Sequence, residues 1–221
     1  DALPISASSH AIMHGADQIR LGRADMMLVG GAEAAITPFG IGSFAAQRAL
    51  GTDSRPYQTE RDGFIMGEGS AMLVLESLEH ALARKAVILG EIIGYGSTAD
   101  GNEGAQITDP DPTGGQRAAE AALEMAEMSV RDVECVLTHG TATPLGDLSE
   151  LMGIAAWAGS STKHLPISAL KSHVGHLLGA AQVGIGVLPR PLLGLLLAGL
   201  RIGDPLGKKP TRIPVSPPAT A

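Results

Sequence analysis

Two histidine-bearing turns constrain this chain more than any other stretch: Val136-Leu-Thr-His-Gly-Thr-Ala-Thr-Pro-Leu-Gly-Asp-Leu-Ser-Glu150 and Lys171-Ser-His-Val-Gly-His-Leu-Leu-Gly-Ala-Ala181. A short apolar run precedes each, Cys135-Val-Leu137 and Leu165-Pro-Ile-Ser-Ala-Leu170, and a helix-like segment follows. Such a run reads as a strand. His139, Lys171 and His176 are therefore expected at the ends of adjacent strands. Neutral imidazole N–H groups and a fixed ammonium stabilise negative charge developing on a thioester oxygen, and removal from water strengthens each of them. The expected chemistry is enolate or oxyanion stabilisation.

On these residues the chain resembles the β-ketoacyl-[acyl carrier protein] synthases, condensing enzymes with a thiolase-type fold. His139-Gly-Thr-Ala-Thr-Pro-Leu-Gly-Asp147 and Lys171-Ser-His-Val-Gly-His176-Leu-Leu-Gly-Ala-Ala181 are similar to the family's two histidine motifs. Gly30-Gly-Ala-Glu33 and Arg61-Asp-Gly-Phe-Ile-Met-Gly-Glu-Gly69 match two further signatures in the same order. The resemblance runs over residues 6 to 182 and implies a C-terminal half-fragment of a layered α-β-α, thiolase-like fold whose N-terminal half and last strands are missing.

The resemblance implies that His139 and His176 stabilise an enolate and that Lys171 organises the site, with Glu150 as its charged partner. Read without it, Glu150 and Lys171 are an ordinary helix acid and an ordinary surface lysine. Phe44 would line an acyl passage and Arg48 would hold an acidic carrier protein, against the plain readings of a core aromatic and a solvated charge. Thr141 and Thr143 join them as substrate- or carrier-binding residues. No cofactor or metal is implied, because loss of carbon dioxide drives the condensation. The implied partners are acyl carrier protein, acyl and malonyl thioesters and, in the family, a second copy of the chain.

Counting back from Gly30-Gly31, the family's nucleophilic cysteine falls on Ile5, which cannot attack a thioester; Ser6 and Ser8 have no sequence-adjacent base. A thiolate is favoured at a helix N-terminus, where free N–H groups lower its pKa. The expected consequence is loss of acyl transfer. That leaves a non-catalytic, chain-length-factor-like partner as a second reading, with a polyketide condensing domain as a third.

Composition narrows the classes. A net charge of −7 and the lack of a basic stripe argue against nucleic acid. With 44% hydrophobic residues, 29 glycines and only 3% aromatics, a closely packed α/β core is expected. The single cysteine, Cys135, reads as a buried structural thiol in a reducing compartment, so cytoplasm or organellar matrix is expected. Asp1-Ala-Leu-Pro4 carries no signal-peptide pattern. Leu192 to Leu200 is apolar but falls short of the roughly 20 residues of a membrane span, and no membrane association is expected.

In chain order the pattern predicts a helix over 8–21, a strand over 24–31, a glycine-rich linker over 37–44, and a short helix over 43–50. Asp62 and Glu68, set among glycines, read as acceptors for turn N–H groups rather than catalytic acids. A strand over 71–75, a helix over 78–85, a strand over 87–95, a polar loop over 97–114 and a helix over 115–128 follow. His80, His164 and His173 read as structural or exposed. The chain divides into 1–86, 87–183 with both histidine motifs, and an irregular Leu/Gly/Pro-rich tail over 184–221.

Overall fold

The structure, a computed structural model, describes residues 7–99, 112–184 and 186–189. Helix α1 (Ala7–Arg20) leads into strand β1 (Met26–Glu33), and helix α2 (Pro38–Ala46) follows. Strand β2 (Gly69–Glu76) pairs antiparallel with β1 from Met26↔Glu76 to Glu33↔Gly69. Helix α3 (Leu78–Ala83), helix α4 (Pro112–Met125), strand β3 (Val133–Leu137) and helix α5 (Pro144–Ala158) come next. Strand β4 (Ile167–Ser168), the single-turn helix α6 (Lys171–Val174) and strand β5 (Gly186–Pro189) complete the described α-helices and strands, with 3-10 turns at Val130–Asp132, Gly159–His164 and Leu178–Gly184. The order helix then strand occurs twice, as α1–β1 and as α4–β3, but the glycine pair Gly30-Gly31 lies inside β1, paired with Met72 and Ala71, rather than in a turn after it.

Side chains alternate across a strand, so β1 and β2 each present two faces. Gly15 and Ala16 of α1 are buried against one of them. A Cβ on Gly15 would lie 2.4 Å from the Val29 Cγ1, so the helix approaches β1 this closely only because position 15 has no side chain. The opposite face carries Met26, Leu28, Met72 and Val74, all exposed.

The second sheet runs β4-β3-β5, with β3 parallel to β4 (Val136↔Ile167) and antiparallel to β5. Val133, Val136, Ile154 and Ala158 form a buried cluster between β3 and α5, flanked by Leu123, Val130, Trp157 and Leu165. Val133, Val136 and Ile154 each contribute about 1.5–3 kcal/mol when removed from water, and the Ala158 methyl about 1 kcal/mol. That cluster fixes α5 over β3 and so sets where the turn between them points.

Several expectations are corrected. The 87–95 segment is not a strand: it has no ladder partner among the described residues, and Val87 is 86% exposed. It runs instead between two helices, with the Ile93 carbonyl accepting from Arg20 and with Gly94 against the Ala122 carbonyl of α4. An apolar β-branched run becomes a strand only where a neighbour completes its hydrogen bonds.

The glycine-rich linker over 37–44 is itself helical. Thr37 caps α2 by accepting from the Gly40 N–H at 3.0 Å, and Pro38 follows at the first helical position. A good cap and an N1 proline offset the poor propensity of the glycines. The helix expected over 115–128 starts three residues earlier, at Pro112. The irregular tail is corrected at its start, since 186–189 adds an antiparallel strand to the free edge of β3. Residues 190–221 and the polar loop at 100–111 lie outside the described residues.

Candidate active site

The parallel pairing of β3 and β4 brings two turns to one edge. The Thr138 N–H donates to the Ser168 carbonyl at 2.8 Å, so the ladder continues one residue past β3 before the chain turns at His139. Lys171 heads α6 just beyond β4. Gly175, with φ of 72°, stops that helix after one turn in a conformation that a side chain would oppose. His176 then pairs with the 65–67 segment: its N–H donates to the Ile65 carbonyl at 2.7 Å, and its carbonyl accepts from Gly67 at 2.9 Å. Grooves at the carboxyl ends of parallel strands are where α/β proteins place ligands.

His139 and His176 meet edge to face with ring centroids 5.3 Å apart. His176 is buried and accepts the Leu178 N–H on Nδ1 at 3.1 Å, which leaves the proton on Nε2. Lys171, 4% exposed, places Nζ 2.7 Å from the His139 carbonyl and 3.3 Å from its Nδ1. An ammonium has only donors, so His139 accepts on Nδ1 and it too carries its proton on Nε2. Both rings therefore present N–H donors.

Burial, then the Lys171 charge, then His176 hold His139 well below the ordinary imidazole value. Burial, then Lys171, push His176 down to about 3. Burial also pushes Lys171 down to about 8, opposed by the charges of Glu150 and Asp147. At neutral pH the site thus contains two neutral imidazoles beside an ammonium.

Glu150 departs from its expected role as direct partner of Lys171. Its carboxylate accepts the His139 N–H at 2.6 Å, the Gly140 N–H at 2.8 Å and the Tyr57 hydroxyl at 2.7 Å. Lys171 binds the carbonyl of the residue whose N–H binds Glu150, so anion and cation clamp the His139 backbone from its two ends. Their mutual attraction acts across that residue rather than as an ion pair.

Asp147, 1% exposed, accepts the Tyr57 N–H at 2.7 Å and the Ala142 N–H at 3.0 Å, and faces Arg61 Nε at 3.4 Å. It ties the 53–61 loop to the histidine turn, where Ala142 adopts a left-handed φ of 65°.

Two family models match the chain: the β-ketoacyl synthase N-terminal domain over residues 5–81 and the C-terminal domain over residues 89–186. The 3-oxoacyl-[acyl-carrier-protein] synthase 2 of Staphylococcus aureus is 48% identical over 170 residues, which cover 73% of this chain and 41% of that protein.

The chain belongs to the β-ketoacyl synthase family.

It spans about two fifths of the length of that curated relative. Solved structures agree on the fold. A type II polyketide acyl-carrier protein in complex with its ketosynthase matches with a TM-score of 0.75 and 38% identity, covering 80% of this chain and 45% of the other. The ishigamide ketosynthase/chain length factor matches with a TM-score of 0.75 and 36% identity, covering 89% of this chain and 45% of the other. The α/β architecture is thus thiolase-like, with incomplete sheets.

In this β-ketoacyl synthase chain the remaining expected site residues divide. Phe44 joins a line of edge-to-face rings: it meets Phe64 at 5.2 Å, and Phe64 meets His176 at 5.0 Å. An apolar cavity of about 200 Å³ beside it is lined by Ile36, Ile41, Leu50, Phe64, Ile65 and Met66. Arg48 is exposed on a left-handed turn after α2, away from the histidines' hydrogen-bond network. Thr141 and Thr143 bind each other, Oγ1 to Oγ1 at 3.0 Å, as α5 begins, so they shape the histidine turn. Ile5 and Ser6 lie outside the described residues, whereas Ser8 is buried in the first turn of α1.

Asp62 and Glu68 are turn acceptors as expected, for Thr52 and Ile36 respectively. His80 is half-buried and pairs with Glu76 at 2.7 Å. His173 is exposed beside Ser172. Sequence reasoning missed Tyr57, Phe64 and the hub role of Asp147. Asp147 and Phe64 stand inside quoted motifs; Tyr57 stands outside them, signalled only by the turn-forming Pro56 before it.

Proposed function

We propose that the chain carries the decarboxylating site of a 3-oxoacyl-[acyl carrier protein] synthase of fatty-acid biosynthesis. The observation that carries this reading is the pair of neutral imidazoles, His139 and His176, 5.3 Å apart with Lys171 against the first. In a bound malonyl thioester, the bond between the α-carbon and the carboxylate breaks, carbon dioxide leaves, and the electron pair moves into the thioester carbonyl as an enolate. The two Nε2–H groups stabilise the oxyanion from donors that are already oriented and need no reorganisation. Lys171 and Glu150 fix His139 for that task.

In the complete reaction the enolate carbon attacks a second acyl thioester, a thiolate leaves, and a 3-oxoacyl thioester forms. The acyl thioester would be carried by the nucleophile whose position here is Ile5, so this chain performs decarboxylation without transfer; the released enolate takes a proton to give acetyl thioester. In this reading the acyl chain would enter the apolar cavity beside Phe64, whose ring meets that of Phe44. Acyl carrier protein is the natural thioester donor, in keeping with the ketosynthase complex described above, and Arg48 offers it an exposed cation. The division at 86 and 183, homodimerisation, and a cytoplasmic or organellar-matrix setting belong to the same reading. Among the described residues no helix is long and apolar enough to cross a membrane.

A second reading, a chain-length-factor-like partner, is favoured by Ile5 and by the likeness to the ishigamide pair. One experiment separates them. The purified chain is incubated with malonyl-carrier protein and labelled acyl-carrier protein, and carbon dioxide and 3-oxoacyl product are followed separately. Carbon dioxide without condensed product is expected. Condensed product overturns the assignment of Ile5, and neither product leaves the partner reading standing.

A further inference from the structure

Tyr57 binds both acids behind the histidine turn, Asp147 through its backbone and Glu150 through its side chain. Its backbone N–H donates to Asp147 at 2.7 Å and its hydroxyl donates to Glu150 at 2.7 Å, 90 and 93 residues away in sequence. Thr138, at the end of β3 before the histidine turn, donates its own hydroxyl to the Ser168 carbonyl at 3.1 Å. Tyr57 adopts a left-handed φ of 65°, which a bulky aromatic residue rarely takes unless its surroundings impose it. Here the Asp147 bond holds the backbone in that conformation and thereby aims the ring at Glu150.

The His139 and Gly140 N–H groups hold one oxygen each of the Glu150 carboxylate, and the Tyr57 hydroxyl adds a third donor on the oxygen that Gly140 binds. We propose that Tyr57 is a positioning residue for the condensing-enzyme site: its hydroxyl locks Glu150 onto the His139 and Gly140 N–H groups, and so sets the direction of the His139 imidazole. Tyr57 lies behind the histidine and acts through Glu150. The consequence for catalysis rests on the function proposed above; the consequence for geometry does not.

The test compares the intact 221-residue chain with Tyr57→Phe, Glu150→Gln and the double variant. Tyr57→Phe keeps the ring and removes only the donor. By amide NMR, the His139 and Gly140 N–H resonances move upfield in Tyr57→Phe, while those of Val133 to Val136 in β3 stay in place. With malonyl-carrier protein, kcat for carbon dioxide release falls about tenfold, the scale of one hydrogen bond to a charged group, with KM unchanged. In the Glu150→Gln background the same substitution has no further effect. Unmoved His139 and Gly140 amides overturn the proposal, as does an undiminished effect of Tyr57→Phe in the Glu150→Gln background. A parent chain that releases no carbon dioxide refutes the proposed function instead, and the amide shifts then decide the role of Tyr57 alone.

Discussion

Replacing Lys171 by methionine tests the electrostatics of the site most directly, because its expected effects on stability and on activity have opposite signs. The ammonium is 4% exposed and its pKa lies near 8, against 10.5 for a free lysine. A folded value below the unfolded one means that the unfolded chain binds more protons between the two, so stability rises with pH across that interval. The contribution is complete above pH 10.5 and is lost as pH falls through 8.

At pH 7 the buried charge thus costs about 3 kcal/mol, and at pH 9.5 a little over ~1 kcal/mol. Methionine removes that cost but also removes the 2.7 Å bond to the His139 carbonyl, which contributes about 1 kcal/mol. Lys171→Met is therefore expected to be more stable than the parent by about 2 kcal/mol at pH 7 and nearly equal to it at pH 9.5. Tyr57 and Cys135, both raised by burial, lose stabilisation as pH rises, but they do so in both proteins and cancel in the difference. The assay is urea unfolding at both pH values, followed by the fluorescence of Trp157, the single tryptophan, which packs on the β3–α5 cluster. Carbon dioxide release should be lost in the variant despite its higher stability. The reasoning is refuted if parent and variant show the same change in stability between the two pH values.

Asp147→Ala should destabilise the chain by about 3–5 kcal/mol in the same assay, since it strands two N–H groups and a partly buried guanidinium; a loss below about 1 kcal/mol would contradict the hub role. For His176, 15N NMR of the ring should show the neutral Nε2–H form from pH 8 to below 5. Its folded value near 3 lies under the free 6.5, so its contribution is complete above 6.5 and is lost as pH falls toward 3; a midpoint near 6.5 would refute this. Gly31→Ala should lower stability by about 1–3 kcal/mol, because the new Cβ would lie 2.6 Å from the Gly179 carbonyl and 3.1 Å from the Ala180 Cα; thermal melting measures it. The open face of β1–β2, with Leu28 66% and Val74 58% exposed and paired in register, should drive self-association. Sedimentation velocity should show it reduced in the Leu28→Lys, Val74→Lys variant.

The elements around the histidines were legible because each carries local signals. Cys135 to Leu137 is apolar and leads into a turn, Pro144 begins a helix after Thr143, and Gly175 ends one after Lys171. The failures have a common cause. Residues 87–95 have the composition of a strand but no ladder partner, and 186–189 looked irregular yet found the free edge of β3. Strand formation is settled by a neighbour distant in sequence, and composition does not name that neighbour.

The site shows the same division. The sequence by itself determined which groups are present, that His139, Lys171 and His176 follow strand-like runs, and that the family is that of the condensing enzymes. Only the tertiary structure decided what those groups do to one another. Parallel pairing of β3 with β4 put the two turns at one edge, burial made both imidazoles neutral, and the carboxylate of Glu150 went to backbone N–H groups and Tyr57 rather than to the ammonium. Protonation states and hydrogen-bond partners depend on distances of a few ångströms between residues far apart in the chain, and those distances exist only after folding.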